Sequence, residues 1–169
     1  MNNIYQRSKT QPYHISVGGV LFNDEGNIAT LRHVPEMLPA SYLPAFRTHK
    51  EAFSLMRESL EKGETLVCAL ERGFREEFGA TISVRHFCGS LVTEIHDDMI
   101  FEKTTLYFSA HCIHIDENDR SGPDVESDLD IVWWEPSELI THMQRQADII
   151  EFDLDESKIV ERAVALMDI

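Results

Sequence analysis

From His14 the chain alternates and then runs apolar through Ile15-Ser16-Val17-Gly18-Gly19-Val20-Leu21-Phe22. It breaks at Asn23-Asp24-Glu25-Gly26-Asn27 and resumes with Ile28-Ala29-Thr30-Leu31. Apolar runs on either side of a polar, glycine-bearing break predict a β-hairpin. Residues 35–50 carry three prolines together with Tyr42, Phe46 and Arg47, and predict a long surface loop able to hold a base and a phosphate or simply to pin itself down. Between Glu51 and Glu61 no single period dominates, and Phe53-Ser54-Leu55-Met56 suits a short buried strand or part of a helix. From Thr65 to Phe78 the apolar residues Leu66, Ala69, Leu70, Phe74 and Phe78 recur at helical spacing, and Gly79 stands where a helix stops.

Two long runs, Thr81–His96 and Met99–Ile115, flank the polar Asp97-Asp98 and predict a pair of antiparallel strands. Asp116 to Asp130 reads as an acidic loop, Ile131–Trp134 as a short strand and Pro136–Gln146 as a helix. A final amphipathic helix is predicted from Asp153 to Met167, with Asp153 and Glu156 at capping-box spacing. The sum is an α/β arrangement, a mixed sheet with helices packed on its faces. Residues 1–12 form an N-terminal tail in this reading, and 13–169 a single domain.

A chain of 169 residues can bury a core without disulfides or a structural metal. Its formal charge of −15, with no Lys/Arg cluster, would repel a phosphate backbone, so DNA and RNA polymers are not expected partners. The same acidity opposes a free nucleotide, and a phosphate ligand would need a cation to bridge the like charges. Cys68, Cys88 and Cys112 are odd in number and scattered, which fits a reducing compartment. The N-terminal segment lacks the apolar core of a signal peptide, and no stretch is long enough to span a bilayer; a cytoplasmic protein without a membrane partner is expected. A homodimer is one oligomeric state open to such a chain.

The chemistry concentrates in residues 63–80. Gly63-Glu64 would turn the chain ahead of the helix, where unpaired N–H groups favour anions. Glu76 and Glu77 are adjacent carboxylates near the face of Arg72. Alone they are better described as a solvated acidic face; with a cation between them they become hard oxygen ligands suited to Mg²⁺ or Mn²⁺. Arg72 and Glu64 are read as a pair that fixes the loop against the helix.

With Glu64, Arg72, Phe74, Glu76, Glu77 and Gly79 in register, the segment resembles the Nudix hydrolase family, whose signature is G-x5-E-x7-R-E-U-x-E-E-x-G-U, with U aliphatic. The order of elements agrees from about residue 13 to 140, including the late Trp133-Trp134-Glu135-Pro136. The resemblance implies a Nudix-type α/β/α sandwich and hydrolysis of a phosphoanhydride in a nucleoside diphosphate linked to another group, using a Mg²⁺- or Mn²⁺-activated water. Implied with it are a small nucleotide-derived substrate, Glu76 and Glu77 as metal ligands, and Glu64, Arg72, Glu77 and a carboxylate outside the box as catalytic residues. Glu126 in the acidic loop is the first choice for that carboxylate, ahead of Asp128, Asp130, Glu94 and Glu102.

Two positions depart from the signature. Glu58 replaces its opening glycine, and Gly73 replaces the glutamate after the arginine, which in the family belongs to the metal-binding set. Glycine inside a helix costs about 1 kcal/mol relative to alanine, so Gly73 is not there for local stability. Glu71 lies about 200° around the helix from Gly73 and cannot substitute for the missing glutamate, whereas Glu58 is a candidate third metal ligand. The alternative to hydrolysis is a weakened Nudix-fold domain that binds a nucleotide or regulates without turnover; an interaction domain using the acidic surface is a third reading. His111, Cys112 and His114 have no second ligand pair at zinc spacing, and Trp133 and Trp134 are expected to fill the core.

Overall fold

In a computed structural model describing residues 3–34, 36, 51–96, 100–122, 128–148 and 155–167, the sheet is assembled on strand β1 (Tyr13–Phe22). The polar break after it closes a tight hairpin, in which Asn27 N–H donates to Asn23 Oδ1 at 2.8 Å and Gly26 takes a φ of 82°. Strand β2 (Ile28–His33) returns antiparallel to β1. The ambiguous segment resolves into two short strands, β3 (Ala52–Ser54) beside β2 and β4 (Met56–Ser59) beside the middle of β1. Every residue from Ala52 to Met56 is buried, so no polar alternation marks the strand period there.

The long hairpin is β5 (Ala80–His96) and β6 (Ile100–Ile115), with β6 lying parallel to β1 across ten residue pairs. Strand β7 (Asp130–Trp134) pairs with β2. The result is a mixed seven-stranded sheet whose main path runs β3-β2-β1-β6-β5.

Helix α1 (Leu66–Phe78) covers one face of this sheet, burying Ala69, Leu70, Phe74 and Phe78 against Val17, Leu21, Leu31 and Met56. Helices α2 (Pro136–Ala147) and α3 (Ser157–Met167) cover the other face, where Leu139, Met143, Ile159 and Val160 meet Val20, Ile28, Leu55 and Tyr107. This is the expected α/β/α sandwich. The neighbouring glycines of β1 let the layers close. A Cβ on Gly18 would meet the Tyr107 ring at 2.5 Å, and one on Gly19 would collide with Phe74 from the opposite side. Trp133 and Trp134 point to opposite faces, as adjacent strand residues must, and each packs on the core of its own side.

Glu156 departs from its expected part. Asp153 lies outside the described residues, and the side chain that accepts from the Ser157 N–H is Asp155, at 3.0 Å. Glu156 instead turns into the core, 2% exposed, accepting from Tyr107 Oη at 2.5 Å and from the Leu55 N–H at 3.0 Å. Capping-box spacing describes either outcome, and the buried tyrosine decides between them. Glu156→Leu leaves Tyr107 Oη and the Leu55 N–H without these bonds. It is expected to lower unfolding free energy by about 3 kcal/mol in a urea titration, since each stranded buried group costs about 1–3 kcal/mol.

Residues 3–12, read as a tail, are tied to the sheet. Asn3 Nδ2 donates to Leu60 O at 2.9 Å, the Ile15 N–H donates to Tyr5 O at 2.8 Å, and Arg7 stacks over Phe101 at 4.3 Å. Among the described residues no helix is long and apolar enough to cross a membrane.

Candidate metal and phosphate site

The site is built from the elements that meet around α1. Gly63 turns the chain with a φ of 83°, and Thr65 caps the helix by accepting from the Cys68 N–H at 3.2 Å. At the other end Gly79 takes the left-handed conformation, φ 65°, and its N–H bonds to Arg75 O at 3.0 Å. The two ends therefore fix where the helix starts and stops.

Arg72 is the organising group. Its Nε donates to Glu64 Oε1 and its Nη2 to Glu64 Oε2, both at 3.0 Å, a bidentate pair that locks the Gly63-Glu64 loop onto the helix as the sequence suggests. Nη2 also donates to Ser59 O at 2.9 Å, binding β4 to the helix. Nη1 lies 3.1 Å from Glu58 Oε2 and 3.5 Å from Glu76 Oε2. One guanidinium thus gathers carboxylates from strand, loop and helix. The hydrogen bonds that Arg72 donates hold the Glu64 carboxyl below its ordinary pKa, and the same bonds raise that of Arg72. Burial pushes Glu58 upward against the pull of Arg72.

Glu77 is 7% exposed, on the core side of the helix end, whereas Glu76 stays partly open at 24%. Close to Glu77 stands Arg120, which sequence reasoning passed over as one basic residue in an acidic loop. Its side chain is 9% exposed and lies 3.6 Å from Glu117, and burial lowers its pKa against the fields of Glu117, Asp128, Glu77 and Asp130. The N–H groups of Ser121 and Gly122 both donate to Glu76 O at 3.2 Å, so the acidic loop starts against the carboxylate end of the helix. Its first-choice residue, Glu126, lies outside the described residues, as do Tyr42, Phe46 and Arg47.

Other candidates are placed elsewhere. Glu94 and Glu102 face each other across the β5–β6 hairpin, and both are exposed. His111 approaches Asp24 at 3.2 Å rather than joining Cys112 and His114. Among the described residues no three carboxylate, imidazole or thiol groups close into a cage. Glu58, Glu76 and Glu77 offer oxygen donors of the kind a hard divalent ion takes, and such an ion keeps most of its water and needs only one or two protein carboxylates beside substrate phosphates.

No sequence family and no curated protein matches the chain by sequence. Solved structures do. A NUDIX hydrolase from Nitrosomonas europaea superposes with a TM-score of 0.62 at 15% identity, over 89% of this chain and 88% of that one. The MutT protein from Methanosarcina mazei Go1 gives 0.60 at 17% identity, over 94% and 97% of the two chains. The fold is that of the Nudix hydrolases. A Jonesia denitrificans protein described as a possible asymmetric diadenosine tetraphosphate hydrolase shares it, with a TM-score of 0.60 at 12% identity over 91% of this chain and 94% of that one. In this fold residues 58–79 are the end of β4, the loop that follows it and helix α1 with its capping glycine.

Proposed function

We propose that this chain is a metal-dependent hydrolase of phosphoanhydride bonds in small nucleotide-derived substrates. The observation that carries this reading is the Arg72 cluster, in which Glu58, Glu64 and Glu76 converge on one guanidinium within a Nudix fold. Glu76, Glu77 and Glu58 are the groups that would hold Mg²⁺ or Mn²⁺. When bound, such an ion neutralises phosphate oxygens and lowers the pKa of its water.

The protein's own residues supply the rest. Arg72 and Glu64 hold the loop and helix so that the carboxylates need not reorganise when charge develops at phosphorus. Glu77, 7% exposed, would present its carboxylate to the ion from a water-poor position. In the reaction a water oxygen bonds to phosphorus, the bridging P–O bond breaks, and the water's protons leave to solvent and to the departing phosphate.

Purified protein incubated with Mg²⁺ or Mn²⁺ should release product from one class within a panel of nucleoside triphosphates, nucleotide sugars, dinucleoside polyphosphates and dinucleotide cofactors, and chelation should stop it. Metal-dependent binding without turnover would instead identify a nucleotide-binding domain. Neither binding nor turnover across the panel would remove both readings.

A further inference from the structure

The two residues at which this chain departs from the Nudix signature touch each other. A Cβ built on Gly73 would lie 2.9 Å from Glu58 Cβ, 3.4 Å from Glu58 Cγ and 2.7 Å from Met56 Sδ. Glu58 cannot retreat from this contact, because its Cβ is fixed to the β4 backbone, which pairs with β1 at Val17. A side chain at position 73 and one at position 58 therefore exclude each other. The signature resolves that conflict with glycine on the strand and glutamate on the helix. Here the glutamate is on the strand and the glycine on the helix.

We propose that Glu58 and Gly73 are a single reciprocal exchange, in which the metal-facing carboxylate that the signature places on the helix is supplied by Glu58 from β4 through the space that Gly73 leaves open. Three observations support it beyond the sequence positions. Glu58 Oε2 and Glu76 Oε2 approach the same nitrogen, Arg72 Nη1, at 3.1 and 3.5 Å, so the strand carboxylate reaches the helix set. Gly73 is buried in the middle of α1, where glycine weakens a helix, and the room it makes is filled by Glu58 and Met56. Met56 is fully buried against α1, but its flexible thioether can repack around a new neighbour in a way that the strand-bound Cβ of Glu58 cannot.

The exchange rests on the metal reading above, and a double-mutant cycle separates the two. Four proteins are compared: wild type, Gly73→Glu, Glu58→Gly, and the double variant that restores the signature. Thermal midpoints are taken without metal, and Mn²⁺ affinity is measured by the electron paramagnetic resonance of the free ion. Gly73→Glu alone should lower the midpoint by about 5 °C through overpacking. Glu58→Gly alone should weaken Mn²⁺ about tenfold or more, in line with losing one oxygen ligand. The double variant should melt above Gly73→Glu despite carrying one more substitution, and should bind Mn²⁺ within about threefold of wild type, a non-additivity expected only of residues in contact.

Glu58→Gln provides the measurement should Gly73→Glu fail to fold. It keeps the packing and leaves Arg72 paired with Glu64, so the midpoint should fall less than in Gly73→Glu while Mn²⁺ affinity falls. A double variant no better than Gly73→Glu in either property would overturn the exchange, as would an Mn²⁺ affinity unchanged by Glu58→Gln. Coupled variants and wild-type Mn²⁺ binding with no hydrolysis of any panel substrate would leave the exchange standing and remove the hydrolase.

Discussion

Arg72→Met is expected to lower unfolding free energy by about 3 kcal/mol, the range found when one partner of a largely buried ion pair is removed, reduced somewhat for residual solvent. The side chains concerned are 16% exposed for Arg72, 13% for Glu64 and 19% for Glu58, so water can relieve the stranded carboxylates only in part. The Ser59 carbonyl loses its donor as well, which loosens β4 from α1. Arg72→Lys should recover less than half of the loss. An ammonium can neutralise one carboxylate but cannot pair bidentately with Glu64 while also reaching Ser59 O and Glu58. Urea unfolding with a constant m-value would measure both variants. A loss under about 1 kcal/mol in Arg72→Met would mean that the guanidinium does not organise the site.

The largest effect on activity is expected from Glu77→Gln. The substitution keeps shape and volume in a position that is 7% exposed, so the fold should persist, with a midpoint within a few degrees of wild type. Only charge is lost, from the carboxylate proposed to meet the metal. Turnover should fall by about a hundredfold or more, with the apparent Mg²⁺ requirement shifted upward. Glu76→Gln should cost less, because Glu76 is more open to water and shares its charge with Arg72. Equal rates for wild type and Glu77→Gln on a substrate that wild type hydrolyses would exclude Glu77 from the metal set.

Much of this architecture is legible in the sequence. Helix α1 announces itself through the spacing of Ala69, Leu70, Phe74 and Phe78 and through Gly79, and the β1–β2 hairpin through its asparagine- and glycine-bearing turn. The Glu64–Arg72 pair is expected once the segment is matched to the box, and the structure shows it. Segment 52–56 is not legible, because residues buried on both faces of a sheet erase the period that distinguishes strand from helix. Glu156 misleads because a motif at a helix start describes spacing and not direction, and its partner Tyr107 lies 49 residues away. Arg120 carries no spacing signal at all.

The contact between Glu58 and Gly73 belongs with these long-range facts. Alignment to the signature exposes two departures, and one of them looks like a damaged metal site. Only the approach of β4 to α1 shows that one departure makes room for the other. Restoring a single signature residue is therefore expected to do harm.

In the proposed reaction the box directs a water, with a divalent cation, at a phosphoanhydride. Hydrolysis of the panel substrate in ¹⁸O-enriched water, followed by mass spectrometry of the products, tests it most directly. One ¹⁸O per turnover should appear on a single phosphoryl product with Mg²⁺ present, none should appear after chelation, and in Glu77→Gln the labelled product should accumulate about a hundredfold or more slowly. Labelling that persists at the wild-type rate without a divalent ion, or in Glu77→Gln, would contradict it.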